Sequence, residues 1–144
     1  MANTTYMKNQ VEDWVRNWLD QQYPGSHFRK NTLKLTTGGK HEFDAVSQEN
    51  SIIAGITGHS WKTKGGNLPS AKYDGLYREL YFLSLIRATK KLLVLTNEDM
   101  YRDFVNRSKG KVAQGIEISF CQLPVEMRQK VAQVQQKASE EQKA

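Results

Sequence analysis

A single cysteine, Cys121, stands in the 144 residues. It has no second thiol to pair with inside the chain, so an internal disulfide framework is excluded. Its place in the apolar stretch from Ile116 to Leu123 reads as a buried structural thiol rather than a nucleophile. No apolar run approaches the ~18 residues of a membrane-crossing helix. The start, Met-Ala-Asn-Thr-Thr-Tyr, lacks a charged segment followed by an apolar one, so no signal peptide is expected. Together these point to a cytoplasmic protein without a membrane partner. His27, His41 and His59 have no metal-ligand spacing with one another or with Cys121, which argues against zinc. Local signatures of Ser-His-Asp or Cys-His catalysis are missing too. The glycine pair in Thr36-Thr37-Gly38-Gly39-Lys40 lacks the Gly-Lys-Ser/Thr of a phosphate loop.

What is present suits one soluble domain over 1–144, with a core over about 5–123 and a C-terminal helix or frayed tail over 124–144. Hydrophobic residues make up 38% and charged residues 25%, enough for a core without staples. Lys and Arg number 21 against 15 Asp and Glu, a formal charge of +6. That surplus favours a polyanionic partner, although the basic residues are scattered along the chain.

Periodicity gives the order of elements. Val11, Trp14, Val15, Trp18 and Leu19 form a helical apolar stripe over about Thr5 to Gln22, ended by Pro24-Gly25. Both Trp read as core residues, and Glu12 reads as a solvated helix-face acid. A strand follows over Ser26 to Thr37, closed by a hairpin turn at Gly38-Gly39. His41 to Ser47 and Ser51 to Gly58 read as an antiparallel pair joined at Gln48-Glu49-Asn50. Ser60 to Lys72 reads as a basic loop carrying Trp61, Lys62, Lys64 and Lys72. A second helix is expected over Tyr73 to Thr89, with a row of Tyr73, Tyr77 and Tyr81, and with Arg78 and Glu79 as candidates for polar contacts near the site. The unbroken run Leu92-Leu93-Val94-Leu95 marks a strand in the sheet's interior. Asn97 is placed to cap a third helix. Ile116, Ile118 and Phe120 alternate as a strand nearer an edge, before a last amphipathic stretch from Val125.

The stretch His41 to His59 carries the chemistry. Side chains alternate along a strand, so Glu42, Asp44 and Val46 are expected on one face, with Phe43 and Ala45 on the other. Ile53, Gly55, Thr57 and His59 share a face of the next strand. A strand with two acids on one face calls for a purpose, because carboxylates are rarely buried unpaired.

Phe43-Asp44-Ala45, followed about ten residues later by Gly55-Ile56-Thr57, resembles the PD-(D/E)xK nuclease superfamily. The whole order of helix, three strands, helix, strand, helix, strand, helix is similar to its core. The resemblance implies an α/β three-layer sandwich around a mixed central sheet, the restriction-endonuclease-like fold. Asp44 takes the position of the motif Asp. Gly55 and Thr57 stand where the family has an acid and a Lys, so the third-strand motif is degenerate. In such nucleases carboxylates hold Mg²⁺ against the scissile phosphate. By this resemblance Glu42 and Asp44 are the candidate metal ligands, for weak Mg²⁺; the family's first helix sometimes adds an acid to the metal site, and Glu12 is the residue for that place, set against its reading as a solvated acid. Asp44 and His59 are the candidate catalytic residues, with His59 as a base near neutral pH. Lys62, Lys64 and Lys72 are the candidate nucleic-acid contacts, to DNA rather than RNA. The missing acid and Lys favour a nuclease-like nucleic-acid-binding domain without catalysis. The alternative is an Mg²⁺-dependent DNA endonuclease, a metal-dependent phosphodiesterase with a rearranged site. A homodimer or another protein partner is compatible with either.

Overall fold

The computed structural model describes residues 4–57 and 70–143, and side-chain surroundings within 6–57 and 73–134. Among the described residues nine elements follow the expected order: α1 Thr4–Gln22, β1 Arg29–Lys34, β2 Lys40–Val46, β3 Ile52–Thr57, α2 Ser70–Ser84, β4 Lys90–Leu95, α3 Glu98–Arg107, β5 Ile116–Phe120 and α4 Val125–Lys143. The sheet runs β1-β2-β3-β4-β5. The first three strands are antiparallel neighbours, and β4 and β5 are added in parallel. The sheet is therefore mixed, with β4 inside and β5 at an edge.

The two helix pairs take opposite faces. Met7, Val11, Val15 and Leu19 of α1 pack with Ala45, Ala54, Ile56, Leu92, Val94 and Cys121, and α4 adds Met127, Val131 and Val134. On the other face Leu76, Leu80 and Leu83 of α2 and Met100 and Phe104 of α3 cover Phe43, Val46, Ile53, Leu93 and Leu95. Burying one large aliphatic side chain contributes about 1.5–3 kcal/mol, so these two layers supply the fold's driving force. The apolar run Leu92 to Leu95 of β4 is explained by contact with both.

Local chemistry sets the turns. Gly38 adopts φ 99° in the β1–β2 connection, a conformation that suits glycine, and Leu35 N donates to Gly39 O at 2.8 Å. Between β2 and β3 the buried Ser47 Oγ accepts from Ser51 N at 3.0 Å and Ile52 N at 2.9 Å. Asn97 caps α3, its side chain accepting from Met100 N at 3.0 Å.

Four expectations change. Trp14 is exposed, at 39%, because the buried line of α1 runs through Met7, Val11, Val15 and Leu19 and swings toward Glu12. Glu12, expected in solvent, is 2% exposed. The second helix starts at Ser70 and stops at Ser84. Leu85 N turns back to Phe82 O, and Leu85 O accepts from Thr36 N, so the chain leaves the helix to hold the β1–β2 hairpin. The strict alternation along β2 also fails, for a reason that defines the site.

Candidate functional site

β2 carries an extra residue. Arg29 pairs with Val46 but Asn31 pairs with Phe43, so two steps on β1 oppose three on β2. Such a bulge re-aims side chains. Phe43 and Val46 consequently pack on the α2 side, and Ala45 packs on the α1 side. The expected grouping of Val46 with Asp44, and of Ala45 with Phe43, is overturned by this insertion. Asp44 sits within the irregularity.

The bulge is held from two directions. Arg16 of α1 donates from Nη1 to the Asp44 carbonyl at 2.7 Å. The Asp44 carboxylate accepts the Ile56 N–H through Oδ2 at 2.8 Å. β2 and β3 pair at Ala45–Ala54 and Val46–Ile53; beyond that point the Asp44 side chain takes the backbone donor of Ile56. Burial raises the Asp44 carboxyl from its ordinary 3.8 to about 6. The Ile56 hydrogen bond opposes that rise, while the charges of Glu12 and Glu79 add to it. A carboxyl that titrates near neutrality beside other acids is a mark of functional sites.

Glu12 approaches from α1. Among the described residues its carboxylate has no hydrogen-bond partner but faces three cations. Lys30 Nζ lies at 3.4 Å, Arg16 Nη1 at 3.7 Å and Lys8 Nζ at 3.9 Å. A buried carboxylate is tolerated only with such compensation. Glu79 approaches from α2 on the other side. A Cβ added at Gly55 would meet Glu79 Cγ at 2.8 Å and Oε1 at 2.9 Å. The space of a side chain at position 55 is thus filled by an acid from the helix. His41 Nε2 lies 3.5 Å from Glu79 Oε1, and its ring stacks on Phe82 with centroids 3.9 Å apart.

No protein family, curated protein or solved structure matches the chain. The geometry alone therefore carries the reading of the site.

Of the sequence candidates, Asp44 occupies the centre. Glu42 is exposed opposite Thr32, and the acids that shift Asp44 are Glu12 and Glu79. His59, Lys62 and Lys64 lie outside the described residues. Lys72 belongs to the first turn of α2 rather than to the loop. Cys121 is buried, and burial pushes its thiol up to about 11, which suits packing rather than nucleophilic attack.

Among the described residues no three His, Cys, Asp or Glu side chains converge as a metal set. A hard cation at Asp44 would have few protein carboxylates and complete its shell with water. Glu12 has ligand-capable oxygens, but Lys8, Arg16 and Lys30 already neutralise it.

The burial of Glu12 has a signal in the sequence that competes with its reading as a solvated acid. Lys8, Glu12 and Arg16 stand at spacings of four, with Val11 and Val15 alongside, so the acid borders the buried line and has cations above and below it. The place of Glu79 over Gly55 has no such signal and depends on how α2 lies across β3.

Proposed function

We propose that the chain is a nuclease-like nucleic-acid-binding domain of the restriction-endonuclease type, with a degenerate and non-catalytic site. The observation that carries this reading is Asp44, raised to about 6 and held between the β2 bulge and the Ile56 N–H. The mixed sheet with helices on both faces suits that fold, and the net charge of +6 suits a polyanion. The third strand offers Gly55 and Thr57 in place of an acid and a Lys. Mg²⁺ is expected to bind weakly, polarising a phosphate little, because so few carboxylates reach it.

One observation favours the second reading, a Mg²⁺-dependent DNA endonuclease with a rearranged site. Glu79 fills the space a side chain at position 55 would take, so the missing acid has a replacement from α2. In that reading Asp44 and Glu79 are the carboxylates that would hold the cation, with water completing its shell. Binding and cleavage of a labelled DNA duplex, with and without Mg²⁺ or Mn²⁺, separate the two readings. Binding without cleavage supports the first, and cleavage lost in Asp44→Ala supports the second.

A further inference from the structure

The β1–β2 hairpin has an open face on the side of α1. Lys30 fixes the side, since its Nζ reaches Glu12 of that helix at 3.4 Å. Alternation along β1 places Thr32 and Lys34 on the same side. The register sets Glu42 opposite Thr32 and Lys40 opposite Lys34. All four of these residues are exposed. The intervening side chains turn the other way, as the stacking of His41 on Phe82 of α2 shows.

Lys34 and Lys40 are directly opposite each other in an antiparallel ladder. Like charges so placed destabilise a sheet. Among the described residues neither pairs with a carboxylate; the ion pairs of this region go to Glu12 and Asp13 instead. Glu42 is the acid beside them, and the strip remains cationic with Lys30, Lys34 and Lys40. Lys8, with 54% of its side chain exposed, continues it on α1. From Lys30 to Lys34 the strand advances roughly 13 Å at ~3.3 Å per residue, a length over which duplex DNA carries several phosphates.

We propose that this face is a DNA-binding surface, on which Lys34 and Lys40 take phosphates of a duplex beside Asp44, flanked by Lys30 and Lys8, which Glu12 already engages. The proposal rests on the nuclease-like reading and assigns it residues other than Lys62, Lys64 and Lys72. An approaching polyanion relieves the repulsion between Lys34 and Lys40, so binding gains from a strain already in the free sheet.

The test is fluorescence anisotropy with a labelled DNA duplex, titrated in NaCl from about 50 to about 200 mM. Lys34→Gln with Lys40→Gln is compared with Lys109→Gln and Lys111→Gln, an exposed pair after α3 that removes the same charge. The hairpin pair is expected to weaken binding about tenfold or more and to flatten the salt slope by about two, one for each phosphate that a lysine no longer neutralises. The second pair is expected to change little. Thermal melts should show the hairpin variant at least as stable as the parent, since a like-charge pair is removed. Equal weakening by both pairs overturns the surface and leaves the nucleic-acid reading standing. Binding to RNA with none to duplex DNA also overturns the surface. Absence of salt-sensitive binding to either nucleic acid overturns the surface and the nuclease-like reading together.

Discussion

Glu79 stands over Gly55, with Cγ 2.8 Å and Oε1 2.9 Å from where a Cβ at position 55 would be. The two residues share one side chain's worth of space. Gly55→Ala is therefore expected to cost about 1–2 kcal/mol, despite the better strand propensity of Ala. In the double variant with Glu79→Ala most of that cost should return. Urea unfolding of the four proteins measures the coupling, which should exceed ~0.5 kcal/mol. Additive effects would show that Glu79 moves aside freely. A Gly55→Glu substitution meant to rebuild the third-strand acid needs Glu79→Ala beside it for the same reason.

Asp44 makes stability depend on pH. Unfolded, it titrates near 4; folded, it titrates near 6. Between these values the native state holds a proton that the unfolded chain has released. Stability is thus greatest below about pH 4 in this contribution and falls as pH rises to about 6, by up to ~3 kcal/mol. Asp44→Asn keeps an acceptor for the Ile56 N–H and removes the ionisation. Urea unfolding from pH 4 to pH 8 should show the parent losing stability relative to the variant through that window. Parallel curves would contradict the raised value.

The coupling of Glu12 to Asp44 has its own readout. Glu12→Gln removes a negative charge that raises Asp44, so the Asp44 carboxyl should titrate lower, seen by carbon NMR of the carboxylates. It should stay above 3.8, because burial is the larger cause. Stability should fall by about 1–2 kcal/mol, less than for a fully buried pair, since Lys8 and Lys30 are 54% and 39% exposed and recover water. An unmoved Asp44 titration would place Glu12 outside the site.

The order of elements was legible because it depends on local patterns. The i, i+4 line from Val11 to Leu19, the Gly38 turn, the apolar run of β4 and the Asn97 cap each act over a few residues. The α/β class and the antiparallel β2–β3 pair followed from them. Of the candidate site, Asp44 was legible directly, Glu79 only as a polar contact nearby, and Glu12 only as an alternative to a solvated acid. The surroundings of Asp44 depend on an extra residue in β2, visible only in the pairing with β1, and the bulge reversed the faces of Ala45 and Val46. Glu12 belongs to a helix whose buried side is rotated away from Trp14. Two aromatic residues in the stripe pulled the sequence reading toward the wrong edge. Glu79 joins Gly55 through tertiary packing alone.

In the proposed function Asp44 anchors a DNA-binding site that does not cleave. Incubation of the unmodified protein with a labelled DNA duplex, with Mg²⁺ or Mn²⁺, read for binding by anisotropy and for cleavage by gel, tests it most directly. The account predicts salt-sensitive binding with the duplex left intact. Robust metal-dependent cleavage that Asp44→Ala abolishes would contradict it and establish the rearranged endonuclease; no binding at all would contradict both.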